Sequence, residues 1–293
     1  MNLFQYDFMI RALIAALVIG LTAPALGIYL VQRRMSLIGD GVGHVALTGV
    51  GVGLLLDQSP ILTAMLVAAA GAVTIELIRE RGRTSGDLAL ALLFYGGIAG
   101  GVMLVGLSAN RSNANLMAYL FGSLTTTSPA DLVVIVVLAV TLLAAMLLLR
   151  PALFAISHDE EYAKVSGLPV RTLNLLLAVT TAMTVTIAMR TVGLLLISAM
   201  MVVPVATAQQ VTRGFRSTMA LAMGVGVLAA GCGVWLAGQA NTAPGATIVV
   251  LAIAAFLAVA LGAALRRALR RRSVPVAHHP APELEPPDVV LER

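Results

Sequence analysis

Apolar residues run in long unbroken stretches along this chain, and polar residues fall in short clusters between them. Nine stretches read as membrane-spanning helices: roughly 8–31, 36–56, 61–78, 88–107, 130–149, 172–189, 192–211, 218–238 and 245–265. A span needs about 20 mostly apolar residues. Helix is the state open to them, because backbone in lipid must satisfy its own hydrogen bonds and the runs lack the alternation of barrel strands. The expected fold class is therefore all-α, a polytopic integral membrane protein with about nine transmembrane helices. The segment 116–127 (LMAYLFGSLTTT) is short for a span and reads as a re-entrant or interfacial piece. Residues 150–171 form a charged cytoplasmic link between the fifth and sixth spans. Residues 273–293 are Pro-rich without apolar periodicity, which predicts a disordered cytoplasmic tail behind a membrane domain of residues 1–272.

Composition agrees. The chain is 59% hydrophobic and 11% charged, with a mean hydropathy of +0.96, whereas soluble domains carry about 25% charged residues. The net charge of +5 does not indicate nucleic acid, because the basic residues form no single stripe. With the N-terminus outside, sixteen Lys and Arg fall on the inner side, and only Arg11, Arg111 and Arg190 stay outside. That is a strong positive-inside bias. The first run lacks a small-residue cleavage site and reads as a retained span. A single cysteine, Cys232, excludes an intrachain disulfide and a Cys-rich zinc site. His278 and His279, in the tail, read as solvated side chains.

The chemistry lies in the second span, MSLIGDGVGHVALTGVGVGLLL from Met35. Asp40 and His44 are its ionisable residues, while Asp131, Asp87, Glu76 and Glu80 fall at span ends. An Asp at a helix centre costs ~2.5–3.5 kcal/mol on insertion scales, so such a residue points to function. The two are four apart and share a face. A carboxylate and an imidazole suit Zn²⁺, Mn²⁺ or Fe²⁺ better than Ca²⁺ or Mg²⁺. Two ligands are too few for tetrahedral zinc; a two-fold homodimer would supply two Asp and two His around one axis. The alternative is that Asp40 and His44 pair with each other and join helices. Gly39 with Gly43, and Gly49 with Gly53, are small-xxx-small pairs for close helix packing.

An intramembrane protease is disfavoured by the single deep Asp and the lack of H-E-x-x-H. No P-loop occurs: the only lysine is Lys164, in YAKVSG. The chain is therefore read as a transporter subunit and not an enzyme, with no permanently bound cofactor and with ATP hydrolysis on a separate polypeptide. A cytoplasmic docking candidate follows the seventh span, in VVPVATAQQVTRGFR. There Pro204 is expected to break the helix, leaving 205–217, with Thr207, Gln209, Gln210, Thr212 and Arg213, as a short cytoplasmic helix. The alternative is an ordinary Pro kink and turn.

Four segments together resemble the membrane permease subunit of the bacterial zinc/manganese/iron ABC importers. They are RRMSLIGDGVGHVALTGVGVG (33–53), LMAYLFGSLTTTS (116–128), HDEEYAKVSGLPV (158–170) and RTVGLLLISAMMVVPVATAQQVTR (190–213). The resemblance covers about residues 8–265 and departs from the family's usual residues at Thr48, His158 and Gln209. It implies a type II ABC importer permease-like fold in a bacterial plasma membrane. It also implies a homodimer with an ABC ATPase on the cytoplasmic side and an extracytoplasmic metal-binding protein. Asp40 and His44 would be the metal ligands, the stretch near 205–217 would couple to the ATPase, and zinc would be the expected cargo ahead of manganese or iron. Two rivals remain. An ion-coupled secondary transporter would often show inverted repeats, and none is evident. A metal-chelate permease would need a wide pore without ionisable ligands.

Overall fold

All nine apolar runs fold as helices. The computed structural model describes residues 7–81, 86–108, 119–122, 128–240 and 242–272. Its helices are α1 (Asp7–Gln32), α2 (Ile38–Leu55), α3 (Pro60–Arg81), α4 (Gly86–Leu107), α5 (Pro129–Leu148), α6 (Arg150–His158), α7 (Glu160–Val165), α8 (Val170–Val192), α9 (Leu194–Gln209), α10 (Phe215–Ala240) and α11 (Pro244–Arg272). Among the described residues there is no strand. Most of segment 116–127, and the whole tail 273–293, lie outside the described residues.

Among the described residues, eight helices are long and apolar enough to cross a membrane, and the chain is a multi-pass integral membrane protein. The ninth expected span is shorter. α9 has 16 residues, about 24 Å at 1.5 Å per residue, against a hydrocarbon core of about 30 Å. Its start is set by Gly193, the single residue between α8 and α9, at φ +88°. That left-handed conformation is open to glycine at no steric cost. α9 is enclosed by α1, α8, α10 and α11, so protein rather than lipid surrounds it.

Pro204 corrects the expected break. It sits inside α9, which continues to Gln209. Residues 205–217 therefore form the end of α9, a turn and the start of α10, not a separate cytoplasmic helix. A proline removes one backbone donor, and packed neighbours make that tolerable in a membrane helix. Pro24 inside α1 is a second case.

α1, α2 and α8 are the most enclosed long helices, while α3, α4, α5 and α11 lie outward. Their outer faces carry exposed Leu66, Leu92, Val137, Leu148 and Leu257, apolar surface for which lipid is the fitting solvent. α2 has neighbours on three sides. Gly39 lies against Met201 and Ser198 of α9, and Gly43 against Leu194 and Val185. Gly49 and Gly53 lie against Thr63, Ala64 and Pro60 at the start of α3, and Gly41 and Gly51 face Leu90 and Leu104 of α4. Both small-residue pairs are thus used for packing within the protomer.

Caps define the other boundaries. Ser128 and Asp131 form a capping box with Pro129 opening α5. The Asp159 carboxylate accepts from the Tyr162 N–H at 2.9 Å and starts α7. The charged link 150–171 therefore contains two short helices, α6 and α7. The clusters assigned to the inner side meet at one end of the bundle: Arg33 and Arg79 both reach Glu160, and Arg171 lies 3.3 Å from Glu80. In a Cys232→Ala background, Ser59→Cys is expected to react with an impermeant maleimide from outside. Lys164→Cys should react only after permeabilisation. Labelling of both from one side would overturn this topology.

Candidate metal site

A tight turn at 33–37 joins α1 to α2, with Arg34 at φ +58°, and sets Asp40 in the first turn of α2. There the helix dipole favours a carboxylate. Asp40 is half-buried and lines a cavity of about 300 Å³ with Leu37, Leu90, Ala91, Phe94 and Tyr95. His44 follows one turn later and is only 7% exposed. Its ring meets that of Phe94 edge to face, with centroids 4.5 Å apart and planes at 82°. Phe94 in turn meets Tyr95 at 5.5 Å.

His44 Nδ1 is buried and has no hydrogen-bond partner. A buried polar atom in that condition costs about 1–3 kcal/mol, a cost that a bound ion would offset. No hydrogen bond or ion pair joins Asp40 to His44 among the described residues, and no third His, Cys, Asp or Glu completes a cluster with them. A four-ligand set around a two-fold axis does not match this conformation, since His44 is enclosed within its own chain.

α4 makes the enclosure. A Cβ at Gly97 would lie 2.6 Å from the His44 carbonyl carbon and 2.7 Å from the Val45 nitrogen. Only glycine permits that approach. Thr48 Oγ1 donates to the Gly97 carbonyl at 2.8 Å and pins the crossing. Sequence reading passed over Phe94 and Gly97. The available signal was the Phe94–Tyr95 pair followed by Gly96–Gly97 and Gly100–Gly101, a small-residue face next to aromatics.

A charged network lies below the site. Arg33 donates to Asn174 Oδ1 at 2.8 Å and to Glu160 Oε2 at 3.2 Å. Arg79 donates to both Glu76 oxygens, at 2.6 and 3.0 Å, and to Glu160 at 3.2 Å. Lys164 lies 3.3 Å from Glu160. Glu76, placed by sequence at a span end, is buried; Arg79 compensates its charge. Burial pushes the Glu160 carboxyl up, but the Arg79 charge and hydrogen bond, Arg33 and Lys164 outweigh it and hold the group below the usual carboxylate range. A depressed folded pKa contributes stability above the unfolded value and loses it as pH falls through the folded one. Glu160→Gln is therefore expected to lower stability by about 0.5–1 kcal/mol at neutral pH, solvent screening of a partly exposed carboxylate limiting the loss. The gap to wild type should close only below about pH 4.5, the ordinary value. Thermal unfolding in nanodiscs across pH checks this.

Of the remaining sequence candidates, Pro204, Thr207 and Gln209 lie in the last part of α9, and Gln210, Thr212 and Arg213 in the turn to α10. Pro204 and Thr207 are buried, Gln210 and Thr212 half-buried, and Gln209 and Arg213 exposed. Thr207 Oγ1 donates to the Val203 carbonyl at 2.8 Å. Thr212 Oγ1 bonds the Ala208 carbonyl and the Thr218 hydroxyl, both at 2.7 Å. Nearby on the same end, α7 exposes Tyr162 and Val165.

A model of the ABC 3 transport family matches residues 5–263. The manganese import system permease protein ScaB of Streptococcus parasanguinis is 31% identical over 87% of this chain and 91% of its own. The high-affinity zinc uptake system membrane protein ZnuB of Haemophilus influenzae is 28% identical over 84% of this chain and 94% of its own. Among solved structures, PsaBC from Streptococcus pneumoniae in complex with Fab aligns with a TM-score of 0.79 at 29% identity, covering 88% of this chain and 92% of that one.

Proposed function

This chain belongs to the ABC 3 transport family, and from that premise we propose that it is the membrane permease subunit of an ATP-dependent importer of a divalent metal ion, in a bacterial plasma membrane. The observation that carries the reading is His44, buried without a partner for Nδ1 one turn from Asp40. Asp40 and His44 are the proposed ligands in transit. Two protein ligands, with water completing the shell, suit a site that must release its ion. Relatives named for manganese and for zinc both support a first-row divalent cargo. Zinc is the proposed cargo on the resemblance of the four sequence segments, since Asp and His ligands suit zinc and manganese alike.

The partners follow from what the chain lacks and exposes. Without a P-loop it relies on a separate ATPase, for which two cytoplasmic surfaces are proposed: the exposed Gln209 and Arg213 of the α9–α10 turn, and α7 with Tyr162 and Val165. A second copy of the chain and an extracytoplasmic metal-binding protein complete the proposed assembly. Residues 1–272 form its proposed membrane domain, with 273–293 as a cytoplasmic tail.

Uptake of radioactive zinc into vesicles, with excess unlabelled Zn²⁺, Mn²⁺ or Fe²⁺, tests the cargo. All three should compete, zinc most strongly. Stronger competition by manganese would reassign the cargo, and no competition by any free ion would point to a chelate.

A further inference from the structure

We infer that Phe94 is the inner gate of this site: its ring screens His44 from the cavity that holds Asp40, and one metal ion reaches both ligands only when that ring moves aside. The inference rests on the reading of Asp40 and His44 as ligands and adds a positioning residue to it.

In this conformation the geometry separates the two proposed ligands. Asp40 lines the open cavity with Leu90, Ala91, Phe94 and Tyr95, and His44 does not. His44 lies behind Phe94, 4.5 Å from it between ring centroids and 7% exposed, with Nδ1 buried and unpartnered. The same ring thus forms part of the cavity wall and packs against the buried imidazole.

The helix that carries the ring is held on one side and open on the other. Among the described residues α4 packs mainly on α2 and otherwise on α3, while Leu88, Leu92, Tyr95 and Met103 are exposed along it. On its face toward α2, Gly97, Gly100 and Gly101 meet His44, Leu47 and Thr48, while Leu90 and Leu104 sit against Gly41 and Gly51. One side-chain hydrogen bond, from Thr48 to the Gly97 carbonyl, pins it. Gly96 has open space around its Cα. Because Phe94 lines the cavity, a turn of its own side chain into that space uncovers His44 without separating the two helices.

Diethyl pyrocarbonate acylates neutral imidazole nitrogens that solvent can reach, and mass spectrometry of peptides reads the extent at each histidine. The sample is the full chain with its ATPase in nanodiscs, free of metal, with exposed His158 as internal standard. In wild type His44 should react at least tenfold more slowly than His158. Phe94→Ala should raise the His44 rate tenfold or more and leave His158 unchanged. Phe94→Tyr should restore protection, and Leu90→Ala, in the same cavity wall, should leave His44 protected. Thermal unfolding certifies each variant; if Phe94→Ala does not fold, Phe94→Leu replaces it, with an intermediate rate expected. Equal His44 and His158 rates in wild type, unchanged protection in the Phe94 variant, or equal deprotection by Leu90→Ala would each overturn the gate. A second arm adds Zn²⁺ to Phe94→Ala. Slowed modification of His44 supports the gate as one in a metal path, whereas rapid modification despite zinc overturns His44 as a ligand and leaves the ring only a cover.

Discussion

Replacing His44 with alanine is expected to abolish metal uptake while the protein still inserts and folds. The imidazole makes no hydrogen bond through Nδ1, so its removal strands no protein partner there. The structural loss is its edge contact with Phe94, worth about 0.5–1.5 kcal/mol. Asp40→Asn should stop uptake in the same way. The amide keeps the shape but loses the charge that offsets the cation, and the helix-dipole contribution given up is only about 0.3–1 kcal/mol. A helix-joining pair would behave differently: each single replacement would strand its partner at a cost of about 1–3 kcal/mol, and an apolar double replacement, Asp40→Leu with His44→Phe, would restore function. Zinc uptake measured beside thermal unfolding separates the two. A stable double variant with near-normal uptake would show that the ion takes another route.

Gly97→Ala is expected to destabilise the protein by about 1–3 kcal/mol, the range for overpacking, and to remove most transport. All three atoms nearest the added methyl are backbone of α2, at 2.6 to 2.8 Å. Backbone within a packed helix cannot rotate away as a side-chain tip can, so α4 must back off and the contact between Phe94 and His44 must change. Gly96, one residue earlier, supplies the control. Nothing lies within 4 Å of a Cβ there, and alanine in a helix is favoured over glycine by about 1 kcal/mol. Gly96→Ala should therefore be neutral or stabilising with uptake retained. Two neighbouring glycines with the same chemistry are expected to give opposite signs in unfolding, and equal effects would sink the account of the α2–α4 crossing.

Several features are legible in the sequence because they are local. Long apolar runs without alternation can be satisfied only by helices in lipid, and all nine are helices. Lys and Arg clusters mark one side, and Arg33, Arg79 and Glu160 do meet at one end. Asp40 and His44 stand out because ionisable groups inside a span are costly enough to be rare. Asp40 lines a cavity and His44 is buried. The glycines of α2 announce close packing, though not which helices use them.

What only the tertiary structure decided concerns partners distant in the chain. Pro204 reads as a helix breaker by itself, yet α9 passes through it, because enclosure by other helices offsets a lost backbone bond. Glu76 has the sequence position of an ordinary span end, but folding joins it through Arg79 and Glu160 to one network with Arg33, which lies 127 positions from Glu160. Phe94 and Gly97 carry no chemistry that marks them in isolation. Their roles arise because α4, rather than another apolar helix, lies against His44. Hydrophobicity is non-directional and tells a helix to be buried without saying against what, whereas the choice of neighbour rests on shape complementarity between surfaces that meet only after folding. The spans and the unusual charges were therefore determined by the sequence itself, and the enclosure of His44 by the packing of α4 on α2.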